Sequence, residues 1–191
     1  MLIVIAMIAA VITSVILYRL YAGTTATSQL SDPSNDVELS MGTQYPSMID
    51  VVNAALDVNE TTLNVTINVK DPFHSLGDGE IAQWNVTVIL ENETDALKTY
   101  EIGVNMNSTQ LTGSIVDVET QNVKSCQVSH QTNSLTVLTV LDELSNAKTI
   151  EWRILTSYEQ YSGGELTTNA SDLAPDEGLQ KTVLKTRTES G

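Results

Sequence analysis

Residues 61–69 read TTLNVTINV, and from Thr62 onward apolar and polar side chains alternate at every position. Successive side chains of a β-strand point to opposite faces of the sheet, so this period of two predicts a strand with one buried face. Residues 82–90, AQWNVTVIL, repeat the pattern, with Trp84 and Val86 on the buried face. These two segments predict that the chain folds around β-structure.

Similar short alternations recur along the chain and are separated by turn residues such as Gly77 and Gly79. The predicted strands are 49–58, 62–69, 81–90, 99–104, 114–118, 122–128, 135–141 and 149–155. Short strands at this spacing are typical of a sandwich or barrel. We therefore expect an immunoglobulin-like β-sandwich over residues 49–191, with a polar, loop-like tail after Ser162.

The N-terminal end has a different character. Residues 1–17, MLIVIAMIAAVITSVIL, contain no charged side chain, and the apolar run continues past Arg19 to Tyr21. About 20 such residues can form a helix that crosses a bilayer. Because the residue before a proline avoids helical geometry, Pro33 should end this helix.

The sequence therefore predicts an α+β fold with three parts. A long apolar α-helix over 1–31 is followed by a linker over 32–48 and by the all-β outer domain. Such a helix must be covered by lipid or by copies of itself. The first alternative makes the chain a membrane-anchored surface protein, and the second makes it a self-assembling subunit.

Targeting signals bear on this choice. Residues 1–17 have no basic residue ahead of the apolar run, which is unlike a secretory signal peptide. Arg19 alone would place the acidic domain in the cytoplasm by the positive-inside rule. Glycosylation sequons instead favour an outside location, which we reconcile by expecting that a short charged leader preceded Met1 and was removed.

Residues 2–11, LIVIAMIAAV, resemble the N-terminal segment of archaellins, the subunits of archaeal flagellar filaments. The resemblance covers only about the first 20 residues. It implies a class III signal peptide cleaved just before the helix, helices bundled in a filament core, and β-sandwiches on the outside. Ile5 stands where bacterial type IV pilins usually have an acidic residue, so the archaeal branch fits better.

The resulting prediction is a structural subunit of an extracellular, cell-surface filament used for motility or adhesion. Its partners would be copies of itself, and the filament could also contain a second type of subunit. Before assembly the chain would reside transiently in the membrane. The residues predicted to pack between helices are Ile3, Ile5, Ala6, Ile8, Ala9, Ala10, Val11, Val15 and Ile16. The sequence does not distinguish a flagellum from a static pilus, and the alternative is a membrane-anchored adhesin or accessory protein.

The chain also contains Asn-x-Ser/Thr sequons, which predict N-linked glycans on an exported protein. They begin at Asn59, Asn64, Asn85, Asn92, Asn107 and Asn169. Strand alternation places Asn64 and Asn85 on solvent faces, where a glycan is sterically allowed. The alternative is that they are ordinary polar residues of exposed strands.

Composition excludes several classes of function. With 24 acidic and 9 basic residues the net charge is −15, which excludes nucleic acid as a partner. The single cysteine, Cys126, permits no internal disulfide and is either a small buried residue or an intersubunit bridge. The basic stretch 181–187 is either a solvated tail or a strip that meets the acidic face of a neighbour.

Sites for chemistry are sparse in this sequence. His74 and His130 lie far apart and belong to no catalytic motif, so we expect no enzyme activity and no organic cofactor. Asp71, Asp78 and Glu80 flank two glycines and could supply oxygen ligands to Ca²⁺, although a solvated acidic turn is the alternative. Asp32, Asp36 and Glu38 form a second acidic group with a weaker claim.

Overall fold

The computed structural model describes residues 26–184, which form two packed β-sheets. Strands cover 65% of these residues, and no helix among them reaches seven residues. The strands are β1 (Ala26–Ser31), β2 (Glu38–Met41), β3 (Val51–Asn59), β4 (Thr62–Val69), β5 (Glu80–Asn92), β6 (Leu97–Met106), β7 (Leu111–Asp117), β8 (Asn122–Ser125), β9 (Gln127–Gln131), β10 (Ser134–Val140), β11 (Ala147–Ser162), β12 (Glu165–Ala174) and β13 (Gln180–Val183). Short 3₁₀ helices span Ser47–Ile49 and Asp142–Asn146.

The strands form two antiparallel sheets. The first has five strands in the order β1-β3-β4-β10-β9. The second has eight, in the order β2-β12-β11-β5-β6-β7-β8, and β13 also pairs with β11. Cys126 lies between β8, the last strand of the second sheet, and β9, the last strand of the first. The chain therefore passes directly from one sheet to the other at this edge of the sandwich.

The centre of the sandwich is the pairing of the two longest strands, β5 and β11. They pair from Glu80 with Gln160 to Asn92 with Ala147. Their inner faces bury Trp84 and Trp152 completely. The indole Nε1 of Trp152 donates a hydrogen bond of 3.0 Å to the Ser28 hydroxyl on β1. This bond links the second sheet to the edge strand of the first.

The strand predictions hold best where large apolar residues alternate with polar ones. The segment predicted over 62–69 is strand β4 with the same bounds. The segment predicted over 149–155 is the first half of the much longer β11. The segment predicted over 122–128 is interrupted at Cys126 and forms β8 and β9.

The predicted α+β class is wrong, because residues 26–184 are all-β with no long helix. The last part of the helix predicted over 1–31 is strand β1. In this segment Ser28 and Leu30 point inward and alternate with exposed Thr27 and Gln29, which is the period of a strand. Pro33 marks the end of this strand. Residues 1–25, with the rest of the predicted helix and its packing residues, lie outside the described residues.

Strands also lie outside the segments that were predicted to form them. Strand β2 lies within the predicted linker 32–48, and β12 and β13 lie within the predicted loop-like tail. Inward positions of β12 are small or polar, as at Ala170 and Asp172, so this strand has no strong hydrophobic period. An immunoglobulin domain has seven to nine strands. Residues 26–184 form a larger sandwich, with thirteen strands.

Along residues 26–184 no helix combines the length and the apolar character that crossing a bilayer requires.

Two neighbouring residues of β11 test the inward and outward faces of the sandwich. Ile154 is fully buried, whereas Leu155 is 44% exposed. We expect Ile154→Ala to lower the free energy of unfolding by about 2–5 kcal/mol, because it removes buried methyl groups and leaves a cavity. Leu155→Ala should change it by about 0.5 kcal/mol or less. Urea denaturation measures both values, and equal losses would contradict the assigned faces.

Candidate functional site

Three carboxylates meet where β1 ends. Asp32 directly follows β1, Asp36 lies in the loop that leads to β2, and Asp172 is on β12. One oxygen from each lies within 4.8 Å of the other two. Asp32 is 7% exposed and Asp172 is 4% exposed, whereas Asp36 is open to solvent. We call these three residues the aspartate cluster.

Strand geometry explains how Asp172 reaches this place. Inner positions of β12 alternate as Thr168, Ala170, Asp172 and Ala174, so the carboxylate occupies a position that faces the sandwich interior. Its Oδ2 accepts a hydrogen bond of 2.7 Å from the backbone N–H of Val51, the first residue of β3. The bond connects β12 of one sheet to β3 of the other beside the end of β1.

A fourth carboxylate, Asp50, stands next to the cluster. It is completely buried, and its Oδ2 accepts a hydrogen bond of 2.9 Å from the backbone N–H of Asn35. The Lys70 ammonium lies 3.9 Å from the same oxygen and also donates to the Asn35 side-chain oxygen. Asn35 has a positive φ of 71°, a conformation that Asn tolerates better than most residues. These contacts shape the loop from Asp32 to Asp36.

The aspartate cluster and Asp50 contain buried oxygens without hydrogen-bond partners. Neither carboxylate oxygen of Asp32 has a hydrogen-bond partner among the described residues, and neither does Oδ1 of Asp50. Leaving a buried polar atom unpaired costs about 1–3 kcal/mol, and more when the group is charged. These unpartnered oxygens of Asp32 and Asp50 are therefore unusual for the interior of a folded protein.

Burial and mutual repulsion change the acidity of the cluster. Burial, reinforced by the negative charge of Asp172, raises the pKa of Asp32 to about 7. Burial likewise raises the pKa of Asp172 to about 6, against the opposing hydrogen bond from Val51. The pKa of Asp36 is also raised, first by desolvation. Without a compensating positive charge, the cluster favours bound protons near neutral pH.

The donor set defines which ions the cluster could bind. All of its side-chain donors are carboxylate oxygens, which suit hard cations such as Ca²⁺ and Mg²⁺. The group includes no His or Cys, the ligands that dominate zinc sites.

The loop predicted from sequence as an acidic site has a different geometry. Asp71 and Asp78 are exposed, and within the described residues they form no ligand group with Glu80. Glu80 is already engaged, because its Oε1 accepts a hydrogen bond of 2.6 Å from the Tyr158 hydroxyl and its Oε2 accepts one from the Gly77 backbone. Of the second predicted group, Asp32 and Asp36 lie in the aspartate cluster.

The sequon asparagines occupy two kinds of position. Asn64, Asn85 and Asn169 are half-buried on the outer faces of β4, β5 and β12. The side-chain oxygen of Asn64 is enclosed and has no partner among the described residues, which makes this sequon the least open of the three. The remaining three, Asn59, Asn92 and Asn107, lie at the ends of strands next to turns.

Two of these turns are built by the sequon itself. Oδ1 of Asn92 accepts hydrogen bonds from the backbone N–H and the hydroxyl of Thr94, at 2.9 and 2.8 Å. Oδ1 of Asn107 accepts the same pair from Thr109, both at 2.9 Å. In both turns the Asn carbonyl oxygen makes the structural contacts, while the amide nitrogen is the atom that a glycan would modify.

The other residues singled out from sequence have structural contacts. Cys126 is half-buried between β8 and β9, and burial raises the pKa of its thiol. Lys181 on β13 pairs with Glu151 of the same chain at 2.7 Å, so this part of the basic stretch already has an acidic partner. The ring of His130 lies 5.2 Å from that of Phe73. The residues predicted for self-assembly all lie within 1–25, outside the described part of the chain.

The sequence matches no model of a known protein family, and none of the curated proteins is significantly similar to it. The resemblance to archaellins therefore rests on about the first 20 residues alone.

Sequence reasoning missed two members of the acidic region, Asp50 and Asp172. The buried Asp50 lies between the 3₁₀ helix Ser47–Ile49 and β3, whereas Asp172 occupies an inner-face position of β12. An Asp in the inward phase of β12 breaks the expected apolar pattern and is the available signal. The sequence predicts residues 165–174 as loop, where this signal has no meaning.

The raised pKa values predict a pH-dependent stability. The folded-state pKa of Asp32, about 7, exceeds its ordinary value of 3.8, so between these values the folded chain binds more protons than the unfolded chain. The stability associated with this carboxyl is fully present below about pH 4 and is lost as the pH rises through about 7. The acidic groups that act on it are Asp172, Asp36, Asp176 and Asp50.

Urea denaturation in the presence of a chelator, at pH 4, 6 and 8, tests this linkage. Wild type should lose stability relative to Asp32→Asn as the pH rises, because the amide cannot ionise. Asp78→Asn, at an exposed loop position, should keep a constant difference from wild type. A constant difference for Asp32→Asn as well would contradict the assigned acidity.

Proposed function

We propose that this chain is a structural subunit of an extracellular surface filament, in which the apolar N-terminal segment drives assembly and the β-sandwich is displayed outward. The observation behind this proposal is the union of a 17-residue uncharged apolar run with an acidic β-sandwich that has its own core. Buried residues of the sandwich pack mainly across its two sheets. The apolar run must therefore find its cover elsewhere.

The place where the chain enters the sandwich supports this arrangement. Strand β1 starts at Ala26, which pairs with Val58 beside the β3–β4 turn. Only a few residues separate Tyr21 from this strand. A short connection of this kind holds the sandwich close to whatever surface buries the apolar run.

Energies of burial favour association. Burying one Ile or Val side chain contributes about 1.5–3 kcal/mol, so the six large residues among those predicted to pack contribute about 9–18 kcal/mol. Ordering a subunit costs about 4–15 kcal/mol. Identical subunits joined head to tail form an open helical assembly unless the rotation closes. The resemblance of residues 2–11 to archaellins favours the same outcome.

The second candidate is a membrane-anchored surface protein, either an adhesin or an accessory protein. One structural finding favours it. Residues 26–31 form strand β1, and the apolar residues ahead of it, 1–21, number about as many as cross a bilayer. In that case lipid, rather than copies of the chain, covers residues 1–21.

Ala9→Asp tests the role of the apolar run. Placing a charge among residues that must be desolvated should abolish filaments in electron micrographs, because a buried unpaired charge is strongly unfavourable. The β-sandwich should keep its circular dichroism spectrum. Thr120→Asp adds the same charge to an exposed turn and should leave filaments intact.

Shearing of cells separates the two candidates. A filament subunit is released by shear without detergent, whereas an anchored protein stays with the membrane until detergent is added. Filaments that persist in Ala9→Asp, or wild-type chain that needs detergent for release and forms no filaments, would contradict the filament proposal. The second result would support the anchor.

We also propose that the sequons receive N-linked glycans, and Asn92 offers the sharpest test. Asn92→Asp keeps the Oδ1 acceptor of the turn but removes the amide nitrogen, so the attached mass should disappear while stability changes little. Asn92→Ala removes both, and should lower the free energy of unfolding by about 1 kcal/mol. Peptide mass spectrometry of protein from its native host measures occupancy. An unmodified Asn92 peptide from wild type would contradict glycosylation at this site.

A further inference from the structure

We propose that Asp32, Asp36 and Asp172 bind a calcium ion. Three carboxylates contribute one oxygen each within a space of 4.8 Å. The second, independent observation is Asp32 itself, which is 7% exposed, has both oxygens unpartnered and faces the other two carboxylates. This inference does not depend on how the N-terminal segment is covered.

A bound cation would supply the partner that the carboxylate oxygens of Asp32 lack. Buried carboxylates are stable only when they are paired, hydrogen-bonded or bound to metal. Lys70, the nearby base, lies against Asp50 and Asn35, and no salt bridge to Asp32 occurs among the described residues.

Calcium suits the cluster better than other divalent ions. It takes six to eight oxygen ligands in flexible geometry, whereas Mg²⁺ demands a near-ideal octahedron. Asp36 is open to solvent, so water can supply the remaining ligands. Sites in extracellular modules bind calcium with dissociation constants of about 10⁻⁴–10⁻³ M.

The ion would join the two sheets. Asp32 extends from β1 of the first sheet, and Asp172 belongs to β12 of the second. Asp36 would fix the loop between β1 and β2 to the same point. Bound calcium should therefore stabilise the edge of the sandwich that begins with β1.

Thermal unfolding of the full chain in detergent tests the proposal. After removal of metal with a chelator, 10 mM CaCl₂ should raise the Tm by about 3–10 °C at pH 7.5, relative to NaCl of equal ionic strength. The NaCl reference is essential, because screening alone changes the stability of a chain with net charge −15. MgCl₂ at 10 mM should give less than half of this shift.

Variants identify the site. Asp32→Asn should abolish the calcium-dependent shift and raise the Tm of the metal-free chain, because it removes repulsion. Asp36→Asn changes an exposed residue, should fold normally, and should weaken binding at least tenfold in a calcium titration. Asp78→Asn is the matched control in the other acidic loop and should keep the wild-type shift. If Asp32→Asn does not fold, the Asp36→Asn titration decides the question.

Several results would overturn the assignment. If calcium does not raise the Tm of wild type, the carboxylates of the cluster bind protons rather than calcium. A shift that Asp36→Asn retains in full would place the ion elsewhere. An equal shift with MgCl₂ would exclude a site built for calcium. None of these results depends on filament formation, so the metal proposal and the proposed function can fail separately.

Discussion

The fold depends on the pairing of two long antiparallel strands, β5 and β11, whose inner faces bury both tryptophans. Trp84 and Trp152 are inaccessible to solvent, and the strands around them alternate inward and outward without interruption over most of their length. A shift of one residue in their register would turn every inward side chain of one strand toward water. Burial of the inward side chains therefore fixes the register of β5 and β11 at the centre of the second sheet. The hydrogen bond from Trp152 to Ser28 then positions the edge strand of the first sheet against it.

The same packing concentrates negative charge at one edge. Strand β12 brings Asp172 inward beside the end of β1, and the buried Asp50 stands next to it. Apolar side chains of similar size at these positions would avoid the desolvation cost of buried charge. The sequence instead has acidic residues in both segments that meet there, SDPSND over 31–36 and SDLAPD over 171–176. A role that needs anionic oxygens is the simplest physical reason for this composition.

Sequence patterns predicted the parts of the fold that rest on large alternating side chains. Strand β4 and the core of β5 followed directly from Leu63, Val65 and Trp84. Strands β1 and β12 are not predicted because Leu30 is the one large apolar residue at their inward positions, and the others are Ser, Thr, Ala and Asp, which give no hydrophobic period. Two of the three residues of the aspartate cluster, Asp32 and Asp36, are visible in one short run of the sequence. The third could not be found without the fold, since only the packing of the two sheets brings residue 172 beside residue 32.

The position of β1 has a mechanical consequence for a domain held by its N-terminal end. All six residues of β1 pair with β3, from Ala26 with Val58 to Ser31 with Asn53. Tension applied at Ala26 along the strand would pull β1 lengthwise past β3. The hydrogen bonds between the two strands would then share the load. Peeling the strand away would instead break them one after another. A sandwich held at this end would therefore be loaded in the strand geometry that best resists extraction.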